Sequence, residues 1–230
     1  FLGIHEVPYW LGFPLTVFVI TFIDNAINLI DGIDGLAGGL AMLALMGFCF
    51  IFGHAQLVPY AIVVVSLIGV LIPYMRYNIW GKAEQNRKIF MGDSGSLTLG
   101  FILGFLFVKS AMHNPPLMTG SPTRFMLAYS LLVVPVFDVV RVILHRLRTR
   151  QPLFNADKNH IHHKLIRLGM TQHQALICIL GLAVAYVAVN LLLFTTISIT
   201  TIVLIDVAVF TVMQLLLTRK VERKELKIAA

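Results

Sequence analysis

Apolar residues run along the chain in seven long stretches, near 11–30, 36–53, 57–75, 95–112, 125–144, 174–194 and 197–217, separated by segments that hold nearly all the charge. Each stretch is close to the roughly 20 residues with which an α-helix crosses a bilayer. Residues 35–75 and 168–205 contain no Asp, Glu, Lys or Arg at all. The stretches are continuous rather than alternating, which excludes the strands of a membrane barrel. Hydrocarbon offers no partner to a free backbone N–H or C=O, so each stretch is predicted as a helix. Pro59, Pro73 and Pro135 fall inside or at the ends of these stretches, where membrane helices tolerate them. The predicted fold is all-α: a polytopic transmembrane helical bundle of about seven spans, forming one domain over residues 1–230, with longer loops at about 76–94 and 145–172.

Composition agrees and narrows the class. Of the 230 residues 58% are hydrophobic and 13% charged, against about 25% charged in soluble domains, so a soluble cytosolic protein is excluded. Cys49 and Cys178 sit in different apolar stretches and form neither a disulfide framework nor a CxxC metal site. The chain starts at Phe1 without a basic leader and enters an apolar stretch almost at once, as expected for an internal piece of a longer protein.

Lys and Arg orient the bundle. Segments 76–94, 141–172 and 218–230 hold 4, 7 and 5 of them, and elsewhere there are only Lys109 and Arg124. Seven spans place those three segments on one side, which the positive-inside rule makes cytoplasmic. The net charge of +7 therefore reads as topology and as attraction to anionic headgroups or an anionic substrate. No base-stacking motif of a nucleic-acid binder interleaves with the basic residues. The tail Arg219-Lys220-Val221-Glu222-Arg223-Lys224 reads as a stop-transfer anchor.

Polar residues where lipid should be carry the candidate chemistry, since an isolated charge at membrane depth costs roughly 2.5–3.5 kcal/mol on insertion scales. The first span ends Asp24-Asn25-Ala26-Ile27-Asn28-Leu29-Ile30-Asp31-Gly32-Ile33-Asp34-Gly35. On a helix Asp24, Asn28, Asp31 and Asp34 form one stripe, suited to a hard divalent cation or to the donors of a ligand. A plainer reading makes Asp34 a helix cap and Gly35-x-x-x-Gly39 a packing face. Next comes Phe90-Met91-Gly92-Asp93-Ser94-Gly95-Ser96, either an ordinary N-cap or a helix N-terminus prepared for phosphate, with Arg87 and Lys88 just before it. Third is His160-Ile161-His162-His163, metal ligands if neutral and phosphate donors if protonated. Asp138 pairs with Arg141 at i+3, and Asp206 is a lone buried group or a partner of Asn190.

In order, Asn25-x-x-Asn28-x-x-Asp31-Gly32-x-Asp34-Gly35-Leu36-Ala37, Phe90-Met91-Gly92-Asp93-x-Gly95-Ser96 and His160-Ile161-His162-His163 resemble signature motifs of the polyprenyl-phosphate N-acetylhexosamine-1-phosphate transferases, within glycosyltransferase family 4. The histidine loop Pro152-Leu153-Phe154-Asn155-Ala156-Asp157-Lys158-Asn159-His160 is similar to the branch making lipid-linked N-acetylglucosamine for O-antigen, common-antigen or wall-teichoic-acid linkage. The resemblance implies a multi-pass enzyme of the bacterial cytoplasmic (inner) membrane, its active site on the cytoplasmic face. It would transfer N-acetylhexosamine 1-phosphate from a UDP-N-acetylhexosamine to undecaprenyl phosphate and release UMP. It further implies a catalytic group of Asp31, Asp34 and Asp93. Asp93 would be the ligand of Mg2+, for which Mn2+ can stand in. Substrate would be bound by Asn25, Asn28, Asn78, Phe90, His160, His162 and His163, with Phe90 against the uracil. A homodimer stays open. The family also uses an adjacent Asp-Asp pair and about ten or eleven spans; no Asp-Asp occurs here, which implies that an N-terminal part is missing from this piece. A cation- or proton-coupled transporter using the intramembrane aspartates is the alternative, and would need its acidic cluster at the bilayer centre.

Overall fold

A computed structural model describes residues 7–112, 121–150, 152 and 160–229. Among them are eight α-helices and no strand: α1 (Tyr9–Ile30), α2 (Leu36–His54), α3 (Val58–Trp80), α4 (Gly92–Ala111), α5 (Pro122–Thr149), α6 (Ile161–Arg167), α7 (Gln172–Leu193) and α8 (Ile199–Ala229). All but α6 are long and apolar enough to cross a membrane. The tip at 113–120 and the 153–159 part of the histidine loop, Asp157 included, lie outside the described residues.

α2 is the central helix. It carries no charge and buries Leu40, Leu45, Phe48 and Phe52 among α3, α4, α5 and α7, as a helix apolar all round should. In lipid there is no hydrophobic force between helices, so close van der Waals packing must hold them. The α1–α4 seam shows how. A Cβ on Gly100 would lie 2.7 Å from the Asp24 Cα, and one on Gly104 3.0 Å from the Ile20 Cα, so this small-xxx-small pair lets the two backbones touch. Pro59 sits in the first turn of α3, where its missing N–H is not needed, and Pro73 and Pro135 lie within helices.

Besides α3, which runs on to Trp80, two helices overrun their expected ends, α5 by several residues and α8 by a dozen. Hydropathy stops at the first charges, but Arg, Lys and Glu are good helix formers, so both helices continue past the apolar stretch. The tail expected as an anchor is thus an arm. Lys224 Nζ donates to the Arg167 carbonyl at 3.1 Å, and Arg167 lies 4.0 Å from Glu225. Toward the other end, Asn190 Nδ2 donates to Asp206 Oδ2 (2.9 Å) and Ser130 Oγ (3.1 Å), and Tyr129 OH to Asp206 Oδ2 (3.0 Å). Asp206 and Asn190 are partners, and with Tyr129 and Ser130 they tie α5, α7 and α8 together.

Candidate active site

The acidic stripe is not one helix face. α1 ends at Ile30, and Asp31 to Gly35 form a turn in which Gly32 N–H donates to the Ile30 carbonyl (2.8 Å) and Leu36 N–H to the Ile33 carbonyl (3.1 Å). Gly35, at φ +80°, closes the turn in a conformation that side chains disfavour. Asp31 and Asp34 are therefore aimed by the turn rather than by helical spacing.

Asn78, at the end of α3, holds that turn. Gly35 N–H donates to its Oδ1 at 2.6 Å, and its Nδ2 donates to the Ile89 carbonyl at 2.8 Å. Lys88 Nζ reaches Asp34 Oδ2 and the Asn78 carbonyl, both at 2.6 Å. Asn28 Nδ2 donates to Asp93 Oδ1 (3.1 Å) and Ser96 Oγ (2.8 Å). Three segments far apart in the chain are thereby laced around a cavity of about 420 Å3, lined by Asn28, Asp31, Asp34, Phe90 and Asp93 and also by Gln172 of α7. Phe90 is 72% exposed, a flat apolar wall. No side chain caps α4, so the ordinary N-cap reading of this motif is not met, and the N-terminal turn, starting at Gly92, borders the cavity.

Burial, and then the charges of Asp34 and Asp93, hold the Asp31 carboxyl above the usual carboxylate value of 3.8. A divalent cation would relieve that repulsion. Among the described residues no three His, Cys, Asp or Glu side chains form a complete cage.

The histidine helix α6 abuts the same turn. His162, 1% exposed, lies so close to Gly32 that a Cβ there would fall 2.1 Å from its Nε2. Both of its ring nitrogens are buried without a hydrogen-bond partner. Burial, with His163 and His160 beside it, lowers its pKa from 6.5 to about 4, so it is neutral at neutral pH. His160 stacks parallel to it at 5.9 Å and His163 lies 4.2 Å away. His160 is turned to α5 and does not line the cavity: its Nδ1 lies 2.8 Å from Asp138 Oδ2, whose carboxylate also accepts from Ile161 N–H (3.2 Å) and Arg141 Nη2 (3.3 Å).

The three clusters thus meet at one end of the bundle, but not every expected residue joins them. Asn25 is exposed on α1, and its Nδ2 donates back to the Thr21 carbonyl at 2.8 Å. Asn78 lines the cavity with both ends of its amide engaged within the protein. Arg87 lines a different pocket. Sequence reasoning missed the Asp138–His160 contact, the Lys88–Asp34 pair and Gln172. An intramembrane carboxylate signals an unseen partner; nothing marks Gln172.

The description of glycosyl transferase family 4 matches residues 1–111. A probable undecaprenyl-phosphate N-acetylglucosaminyl 1-phosphate transferase of Bacillus subtilis (strain 168) is 35% identical over 174 residues, 74% of this chain and 45% of that one. The chain belongs to glycosyl transferase family 4. Two further members resemble it at similar distance. An undecaprenyl-phosphate alpha-N-acetylglucosaminyl 1-phosphate transferase of Yersinia pestis is 31% identical over 168 residues, 73% of this chain and 44% of that one. A decaprenyl-phosphate N-acetylglucosaminephosphotransferase of Mycobacterium leprae is 32% identical over 190 residues, 76% and 46%. The chain spans a little under half the length of these family 4 relatives.

Proposed function

We propose that this family 4 protein transfers N-acetylhexosamine 1-phosphate, with N-acetylglucosamine as the sugar, from its UDP derivative to undecaprenyl phosphate at the inner face of a bacterial cytoplasmic membrane. The product would initiate a cell-envelope polysaccharide such as an O-antigen or a teichoic-acid linkage. The supporting observation is the meeting of the acidic turn and the uncapped start of α4 with Asp93 around one cavity, with the histidine helix packed behind that turn at Gly32, outside the cavity lining. The relatives' names supply the substrates.

In this reading Phe90 walls the uracil, and the free N–H groups of α4 face the diphosphate. Asn28 holds Asp93 in place, and Asp93 with Asp31 would hold magnesium, which would neutralise charge on the diphosphate. A phosphate monoester is largely dianionic at neutral pH, its second pKa being about 6, so the acceptor oxygen needs no base. It attacks the β-phosphorus in line; the bond to the bridging oxygen breaks and UMP leaves. An apolar groove of about 470 Å3 between α3 and α4, lined by Leu71, Tyr74, Leu99 and Ile102, shares Phe90 and Met91 with the polar cavity and suits the first isoprene units of the acceptor.

The test uses the full-length protein in membranes with labelled UDP-N-acetylglucosamine or UDP-N-acetylgalactosamine and undecaprenyl phosphate. A lipid-linked sugar diphosphate should form, depend on Mg2+ or Mn2+, and vanish in Asp93→Asn; unaltered turnover in that variant rejects the metal assignment. The transporter alternative finds no support in the relatives, and the acidic turn lies at a helix end, not mid-span.

A further inference from the structure

The basic residues before α4 serve two separate places. Lys88 turns inward to Asp34 and the Asn78 carbonyl. Arg76, Lys82 and Arg87 instead line a pocket of about 220 Å3 with Tyr77, Trp80 and Gln85. None of these six residues lines the polar cavity.

The backbone builds this pocket. Gly81 N–H donates to the Tyr77 carbonyl (3.0 Å), Gln85 and Arg87 N–H to the Lys82 carbonyl (3.2 and 3.1 Å), and Asn86 N–H to the Ala83 carbonyl (3.0 Å). The loop folds back on the helix end so closely that a Cβ on Gly81 would lie 2.1 Å from the Tyr77 oxygen and 2.2 Å from the Arg87 oxygen. Only glycine permits that approach, and the approach brings Arg87 beside Arg76. The Arg76 guanidinium lies 5.8 Å from the Trp80 ring centroid, which fixes its direction. Among the described residues none of the three cations has a carboxylate within ion-pair distance, although Glu84 is on the same loop. Three convergent cations left without an anion on a self-supporting loop indicate that the anion comes from elsewhere.

Depth identifies its kind. Trp80 and Tyr77 are exposed in the last turn of a membrane-crossing helix, the position of aromatic side chains at headgroup level. Arg76 is one turn deeper still. We infer that the Arg76–Lys82–Arg87 pocket binds the phosphate headgroup of an anionic phospholipid of the inner leaflet, holding the end of α3 and the segment before the cavity at the membrane surface.

The test reconstitutes the full-length protein in vesicles of phosphatidylcholine, with and without phosphatidylglycerol, and reads lipid retained by native mass spectrometry and the thermal midpoint. Wild type should retain phosphatidylglycerol over phosphatidylcholine and be stabilised by it. A basic residue near an anionic surface contributes roughly a fivefold effect, so the triple Arg76→Gln, Lys82→Gln, Arg87→Gln variant should lose the preference by about tenfold or more, and Arg76→Lys should retain most of it. Should the triple variant not fold, Lys82→Gln and Arg87→Gln separately are each expected to weaken it about fivefold. Undiminished preference in these variants overturns the inference. So does displacement of the retained lipid by inorganic phosphate, which would make the site one for free anions. Retention of undecaprenyl phosphate in preference to phosphatidylglycerol would assign the pocket to the acceptor and equally overturn it.

Discussion

Gly32 is the least replaceable residue at the cavity. Gly32 has no positive φ, yet a methyl group would enter the ring of His162, which is 1% exposed, so the ring or the α6 backbone would have to shift. Overpacking costs about 1–3 kcal/mol, so Gly32→Ala should slow sugar-phosphate transfer by roughly tenfold to a hundredfold, and adding His162→Ala should restore the docking of α6. His162 itself sets a pH dependence. Its folded pKa of about 4 lies below the ordinary 6.5, so an undocked helix takes up a proton first as the pH falls. Docking should be strongest above about 6.5, weaken on the way to 4 and level off below. Hydrogen exchange of the α6 amides, corrected for intrinsic rates, should follow that course in wild type and lose it in His162→Gln. At this scale the motifs were readable as residue types, but the neutrality of His162 was not, because it comes from burial against a glycine 130 positions earlier.

At the scale of elements, α6 is a short helix held at both ends. Asp138 grips its start through His160 and Ile161, and Lys164 Nζ donates to Gln214 Oε1 (2.9 Å) and Thr218 Oγ1 (2.8 Å) on α8. Removing one member of a buried charged set costs about 3–5 kcal/mol, so Asp138→Ala should free α6 and suppress turnover while the spans persist; protease cleavage near α6 with unchanged helicity by circular dichroism would show it. The α3–α4 groove carries a separate expectation. Leu99→Trp should raise KM for undecaprenyl phosphate several-fold and leave KM for the UDP-sugar unchanged; equal rises in both would remove the groove from acceptor binding. Hydropathy located the seven long helices, missed the short α6 and set α8 too short, since it measures affinity for lipid and says nothing of a charged helix continuing in water beside α6.

For the whole molecule, the described parts of the basic segments at 76–94, 141–172 and 218–230 and the candidate site lie at one end of the bundle. In a variant lacking Cys49 and Cys178, single cysteines at positions 148 and 220 should react with an impermeant thiol reagent only after the membrane is opened, and one at position 196 should react in intact cells. The spans, their alternation and the order of the three motifs were determined by the sequence alone, because lipid solvation and charge asymmetry act on each stretch independently of its neighbours. Only tertiary packing decided that Asn28 holds Asp93, Lys88 holds Asp34 and Asp138 holds His160. Those partners are 65, 54 and 22 residues apart, and a pairing between distant positions depends on how whole helices cross, which no local pattern of apolar and polar residues encodes.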